Sequence, residues 1–209
     1  MKDIIPLFIA LAGVCLIVFM GEYLRRVHLF HAEVTRKFIH IMTASFAATW
    51  PFFMEFNTIE LISLLMFMGI LVSRQLHLFR AIHGVQRRTW GELFFAMSIG
   101  IAAVLSQSNW VFAAAMLVMG VADGFAALVG TLFDKTHRYK VFGHRKSYEG
   151  TITFFVMTLI ILFACSAFGH FPMSSLSLVW LAMLATVFEN IAVAGTDNLF
   201  VPLILVVLL

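Results

Sequence analysis

The chain has 209 residues, of which 62% are hydrophobic and 12% are charged. A soluble domain is roughly 45–50% apolar and about 25% charged, so the composition excludes an ordinary soluble protein and indicates a single integral membrane domain over residues 1–209. The net charge of +3 does not indicate nucleic-acid binding, because the basic residues lie in short segments between long apolar runs.

The apolar runs predict an all-α, multi-pass bundle, since a membrane-spanning helix needs about 20 mainly apolar residues. About seven spans are expected, at approximately Ile4–Met20, Phe38–Met54, Thr58–Ser73, Leu93–Leu105, Trp110–Phe133, Thr151–Phe168 and Leu176–Ala194. The fourth run is short and is expected to extend back over Trp90–Glu92. The last run, Leu199–Leu209, is too short to cross the membrane and fits either a half-span or a truncated span.

The distribution of Lys and Arg predicts the orientation of these spans. Apart from Lys2, basic residues occur only in the first, third and fifth loops: Arg25, Arg26, Arg36 and Lys37; Arg74, Arg80, Arg87 and Arg88; and Lys135, Arg138, Lys140, Arg145 and Lys146. The positive-inside rule places these loops in the cytoplasm and the N-terminus outside, in the cell (inner) membrane if the source is prokaryotic. The third loop, Arg74–Arg88, fits an interfacial amphipathic helix and a plain linker equally well.

Asp123 is the one carboxylate in the fifth predicted span, where it lies between Gly120 and Gly124. A charge at membrane depth costs roughly 2.5–3.5 kcal/mol, so a carboxylate there is expected to have a function. The two glycines predict a broken or closely packed helix that admits water and ligand. We interpret Asp123 as a ligand for Mg²⁺ bound to phosphate; the alternative is a structural polar bridge to another span.

The basic loop after this span ends at Lys146, Ser147, Glu149 and Gly150, directly before the sixth span. Ser147 or Thr151 is expected to cap that helix, whose N-terminal amides favour anions. Lys146 is interpreted as a phosphate ligand, and the alternative is that it only marks the cytoplasmic side.

Two further polar clusters lie at the predicted membrane boundary. Glu189 ends the seventh span, and Asp197 and Asn198 follow it before an apolar half-helix, which fits an Mg²⁺ or nucleotide site but also an ordinary turn. Counting the spans places this segment, Asp123 and the basic loop at one membrane face.

The second cluster, Glu33–His40, begins the second span. On a helix Arg36 and His40 share a face, and Glu33 lies one turn before Lys37. The cluster is either part of a phosphate site or an ordinary basic span boundary. The sequence has no Walker-type P-loop and no set of protein-kinase motifs, so phosphoryl transfer would depend on a metal and on positioning by intramembrane carboxylates.

Four motifs occur in order over residues 33–203. They are E-x-x-R-K-x-x-H at Glu33–His40, D-G-x-A-A-x-x-G at Asp123–Gly130, K-S-x-E-G at Lys146–Gly150 and E-x7-D-N-x-x-V-P at Glu189–Pro202. Together they resemble the polyprenol kinase family, which includes dolichol kinase, phytol kinase and a CTP-dependent diacylglycerol kinase. More distantly, the chain is similar to phosphatidate cytidylyltransferase.

The resemblance implies that the γ-phosphate of CTP is transferred, with Mg²⁺, to the hydroxyl of a lipid alcohol in the bilayer. Asp123 and Asp197 would hold the metal, Lys146 would neutralise phosphate charge, and Glu149 or Glu189 would orient or deprotonate the hydroxyl. The other candidates would contact the nucleotide: Arg36, Lys37, His40, Ser147, Gly150 and Asn198. Two alternatives stay open, a phosphatidate cytidylyltransferase and a small proton- or cation-coupled transporter that uses Asp123 and Glu189.

Overall fold

The computed structural model describes residues 4–28, 32–76, 90–133, 138–142 and 144–209. These residues form eight helices, α1 Ile4–Arg26, α2 Ala32–Thr49, α3 Phe56–Gln75, α4 Gly91–Leu105, α5 Asn109–Leu132, α6 Tyr148–Gly169, α7 Ser175–Ile191 and α8 Asp197–Leu208. A short 3₁₀ turn, Trp50–Phe52, joins α2 to α3, and the antiparallel strands β1 Arg138–Val141 and β2 His144–Ser147 form a hairpin between α5 and α6.

The all-α expectation is confirmed, and each predicted span overlaps a helix, although the second, Phe38–Met54, continues beyond the end of α2 into the 3₁₀ turn. Four helices, α1, α3, α5 and α6, have the length and apolar character needed to cross a membrane, so the count of seven spans stays a prediction. Helices α1 and α2 extend beyond the predicted spans into charged sequence, because backbone hydrogen bonding continues past the apolar run. The proposed interfacial helix at Arg74–Arg88 lies largely outside the described residues.

The ends of the helices place all the candidate site residues at one end of the bundle. The guanidinium of Arg74 at the end of α3 lies 4.3 Å from the ring centre of Trp90, which precedes α4. Likewise, a Cβ built on Gly150 near the start of α6 would lie 3.5 Å from the Cα of Gly130 near the end of α5. We call this the basic end: the end where α1, α3, α5 and α7 finish and α2, α4, α6 and α8 begin.

Helix α5 is the centre of the bundle. In its most apolar 18-residue stretch 72% is buried inside the protein, against 17–28% of the corresponding stretch in the other three long helices. Those helices expose large apolar side chains such as Phe8 and Leu64 to the surroundings. Exposed apolar surface of this extent is expected where a protein contacts lipid. Helix α5 contacts α2, α4, α6 and α8, so a residue on its inner face is enclosed by other helices.

Two glycines allow α5 to lie against α2 at close range. A Cβ built on Gly120 would lie 2.1 Å from the Cβ of Ala44, and one built on Gly124 would lie 2.2 Å from Cγ1 of Ile41. Small residues spaced four apart permit such backbone approach between membrane helices. The expectation of a closely packed helix around Asp123 therefore matches the structure.

We expect Gly120→Ala to destabilise the bundle by about 1–3 kcal/mol, because its methyl group overlaps Ala44. The matched control is Gly69→Ala on α3, where an added Cβ meets nothing within 4 Å. That variant should keep or slightly raise stability, since alanine favours helix by up to about 1 kcal/mol over glycine. Thermal unfolding of the two variants in detergent, side by side, tests the packing, and equal stability would contradict it.

Candidate functional site

An ion pair between Lys37 and Asp123 joins α2 to α5 inside the bundle. The Nζ atom of Lys37 lies 2.6 Å from Oδ2 of Asp123. Both residues are buried, with 8% and 7% of their surface exposed. The cation in the neighbouring helix neutralises a carboxylate that would otherwise be unpaired in an apolar interior.

His40 lies one turn after Lys37 and contacts the same carboxylate. Its Nε2 atom is 3.4 Å from Oδ2 of Asp123 and 2.9 Å from the carbonyl oxygen of Met119. Because a carbonyl oxygen only accepts hydrogen bonds, the contact with Met119 places a proton on Nε2.

The helix that carries Asp123 is locally widened. Residues Val118–Ala122 form a π-helical turn directly before Asp123, and the carbonyl of Met119 within it accepts the hydrogen bond from His40. Such turns are rare in proteins as a whole but are frequently found at functional sites, because they redirect the side chains and carbonyls around them. Neither this turn nor the Lys37–Asp123 pair was predicted from the sequence, although the spacing of Lys37 and His40 on one helix face was a signal for a shared partner.

A second ion pair joins the hairpin to α7. Lys146 in β2 forms a short ion pair with the side chain of Glu189, and its Nζ atom also donates to the carbonyl oxygen of Glu189 at 2.9 Å. In the register of the hairpin Lys146 pairs with Tyr139, whose hydroxyl contacts Thr151 of α6 and Asn190 of α7. The basic loop is thus an ordered hairpin fixed to two helix ends, which the sequence interpretation did not foresee.

The start of α6 carries three more of the predicted residues. Ser147 caps the helix, and its side chain accepts a hydrogen bond from the backbone N–H of Gly150 at 3.1 Å. Gly150 is buried, and a Cβ there would lie 3.0 Å from the carbonyl oxygen of Ala126, so α5 and α6 are close at this point. Glu149 lies part-buried in the first turn of α6, where a carboxylate interacts favourably with the helix dipole.

The Gly195–Asn198 segment is both a turn and the start of a helix. Gly195 has a φ of +92°, and a Cβ on it would lie 2.5 Å from the Cα of Gly91, so only glycine fits there. Asn198 is buried, and its Nδ2 donates to the carbonyl oxygen of Gly91 at 2.9 Å. Its Oδ1 is buried with no hydrogen-bond partner in the described parts of the chain.

Asp197 connects the two ion pairs electrostatically. Its carboxylate lies close enough to interact electrostatically with Asp123, Lys37, Lys146 and His40. Arg36 forms an ion pair with Glu33 at 2.6 Å. Among the described residues, Glu33 is thus paired with Arg36, whereas Lys37, one turn after Glu33, is paired with Asp123. Arg36 also lies within electrostatic range of Asp123 and Asp197.

Two buried carboxylates, each neutralised by a lysine, therefore lie near a third carboxylate at the basic end. An entering polyphosphate can compete for both lysines, which is the chemistry that a phosphate site requires. Within the described ranges, three or more His, Cys, Asp or Glu side chains do not group closely enough to form a ready-made metal site.

We expect Lys37→Met to reduce stability by about 3–5 kcal/mol, because it leaves Asp123 buried without a counter-charge. The matched control is Arg26→Met, since the side chain of Arg26 is 72% exposed and its 3.1 Å pair with Glu22 is worth about 0–1 kcal/mol. The double variant Lys37→Met/Asp123→Leu should recover most of the loss. Denaturant unfolding checks the series, and similar losses for Lys37→Met and Arg26→Met would contradict a structural role for the buried pair.

The chain is similar to a protein of named activity. It is 35% identical to the phytol kinase of Synechocystis sp., in an alignment that covers 95% of this chain and 89% of that protein. No protein-family model matches the chain, and no solved structure does.

Proposed function

Because the chain belongs to the polyprenol and phytol kinase family, it is a lipid-alcohol kinase, and we propose that it transfers the γ-phosphate of CTP to the hydroxyl of a phytol-like prenyl alcohol. The likeness to a phytol kinase over nearly the whole chain carries this proposal and supports a prenyl alcohol as acceptor. The four-motif resemblance supports CTP as the donor. The charge distribution of the loops supports a cytoplasmic location of the basic end, where the nucleotide is available.

The nucleotide is proposed to bind beside the two ion pairs. Lys146 would neutralise its phosphates, helped by Arg36 or Lys37, and the remaining contacts would come from the candidates His40, Ser147, Gly150 and Asn198. The hairpin supports this arrangement, because it fixes Lys146 at the mouth of the buried carboxylate cluster.

The residues at this end suit Mg²⁺, which prefers oxygen ligands and accompanies nucleotide phosphates. Asp123 and Asp197 are proposed to hold it, and the buried Oδ1 of Asn198 is an oxygen acceptor with no partner in the described residues. When bound, Mg²⁺ would offset the negative charge of the transferring phosphoryl group.

In the proposed reaction, the hydroxyl oxygen of the alcohol forms a bond to the γ-phosphorus. The bond from that phosphorus to the β–γ bridging oxygen breaks, CDP leaves with the bond's electron pair, and the hydroxyl proton passes to a base. Glu149 and Glu189 are the proposed candidates for the base. In the absence of nucleotide Glu189 is paired with Lys146, so a phosphate that takes Lys146 would leave this carboxylate able to accept a proton.

The first test uses membranes that contain this chain, offered CTP or ATP labelled at the γ-phosphate together with phytol, short polyprenols or diacylglycerol. We expect label to appear in a prenyl phosphate with CTP. Asp123→Asn should lower the rate roughly 100-fold or more, because charge stabilisation at the transferred group is lost. The matched control is Glu60→Gln on α3, at the opposite end of the bundle, which should leave the rate unchanged.

Two other experimental outcomes would contradict the proposal. Release of pyrophosphate with formation of a CDP-lipid from phosphatidate would identify a cytidylyltransferase. Exchange of protons or cations across the membrane without labelled lipid would support a transporter.

A second test addresses the hairpin. Lys146→Met should raise the KM for nucleotide about tenfold or more, because it removes a charge-assisted contact worth roughly 1.5–3 kcal/mol. Lys140→Met is the matched control, since Lys140 lies in β1 of the same hairpin and is exposed. Steady-state kinetics over a range of CTP concentrations distinguishes the two variants, and equal KM values would remove Lys146 from the site.

A further inference from the structure

A cavity of about 280 Å³ lies beside the Lys37–Asp123 pair, enclosed by α1, α2, α3 and α4. Its long walls are apolar, with Val14 and Val18 from α1, Met66 and Ile70 from α3, and Phe95 from α4. None of these wall residues was a candidate in the sequence, because an apolar wall facing a cavity has the same composition as one facing lipid.

The exposed residues of the cavity lining belong to α1 and α3, so we infer that the cavity opens between these two helices. Cys15 and Phe19 line it, and both are exposed on the outer surface of α1, with Phe19 59% exposed. Only 17% of the most apolar stretch of α1 is buried, so this opening lies on a side of the bundle that is expected to contact lipid.

Polar groups lie at the other end of the cavity, and His40 connects that end to Asp123. Arg36, His40, Glu92 and Asn198 all line the cavity. The ring of His40 lies 4.8 Å from that of Phe95 in the cavity wall, while its Nε2 is 3.4 Å from Oδ2 of Asp123. A group held at this end is thus adjacent to the carboxylate proposed for phosphoryl transfer.

Two polar atoms of the lining have no partner within the described residues. The Oγ1 of Thr43 and the Oδ1 of Asn198 are both buried, in residues that are 3% and 5% exposed. A buried polar atom without a hydrogen bond is costly, so the part of the lining formed by these two residues is where a polar group of a ligand would be favoured. An alcohol hydroxyl has one proton to donate and can also accept, so it is suited to the hydroxyl of Thr43, which does both.

We propose that this cavity binds the lipid alcohol, with its chain between α1 and α3 and its hydroxyl at the polar end, beside Thr43 and His40. This inference rests on the proposed function and deepens it. The acceptor enters from the α1–α3 side and the nucleotide from the hairpin side, so the two substrates meet at Asp123.

Gly69 of α3 provides a direct test, because it lines the cavity and an added Cβ there meets nothing within 4 Å. Gly69→Phe adds a ring to the cavity lining at a position where the first added atom meets no protein atom, so it is expected to narrow the cavity. Met68→Phe is the matched control, since Met68 is the neighbouring residue, is 51% exposed and is not part of the cavity lining. Gly69→Ala controls for the loss of glycine itself.

The primary measurement is photolabelling with a long-chain prenyl alcohol that carries a diazirine on its chain, followed by mapping of labelled peptides. We expect labelled peptides from α1 and α3, suppressed by excess phytol, retained in Met68→Phe and Gly69→Ala, and lost in Gly69→Phe. In parallel, Gly69→Phe should raise the KM for the alcohol about tenfold or more while the KM for CTP stays unchanged.

The outcomes separate this inference from the proposed function. If the wild-type protein phosphorylates phytol but its label maps away from α1 and α3, or Gly69→Phe keeps both label and KM, the cavity is not the acceptor site and the kinase activity stands. If the label maps to the cavity and is suppressed by phytol but no alcohol is phosphorylated, the binding site stands and the proposed reaction is wrong.

Discussion

The structure depends on one buried ion pair, between Lys37 of α2 and Asp123 of α5. An isolated charge in this environment costs several kcal/mol, so neither residue is tolerable without the other. The pair in turn requires the two helices to approach closely, and the glycines at positions 120 and 124 are what permit that approach. The close packing of α5, the most enclosed helix, is therefore inseparable from the chemistry of its carboxylate.

The rest of the basic end repeats the same arrangement with a second carboxylate. Glu189 is neutralised by Lys146, and this lysine comes from a hairpin outside the helices. Asp197 interacts electrostatically with both lysines and is free of a short ion pair to either in the described structure. If nucleotide binds here as proposed, its phosphates would change the partners of groups that are already in place, and the fold would already have met the energetic cost of burying the lysines.

Much of this end could be predicted from the sequence, because charges inside apolar runs are rare enough to identify. Asp123 and Glu189 were singled out on that basis and Lys146 from its place in the basic loop before the sixth span, and the alternation of basic loops placed them at a common end, as the structure shows. The identity of the pairs could not be predicted, since the choice of Asp123 over Glu33 as the partner of Lys37 depends on how two helices are rotated against each other.

Other features had no signal in the sequence for a clear physical reason. The hairpin is held by contacts of Tyr139 with Thr151 on the helix that follows it and with Asn190 on the distant helix α7, and local propensity does not encode the second contact. The cavity is a gap in packing, and a gap is determined by all the surrounding helices together.

The π-helical turn at Val118–Ala122 affects how α5 should be aligned with the corresponding helix of related chains. It accommodates one residue more than an α-helical turn, so the part of α5 that follows is rotated by about 100° from where uninterrupted 3.6-residue periodicity would place it. The direction of the Asp123 side chain therefore depends on the number of residues in the π-helical turn as much as on the residue being an aspartate. A related helix without the extra residue would need a single-residue gap at this turn if its aspartate is to align with Asp123 and face inward. An alignment without that gap would assign the aspartate to the wrong face of the helix.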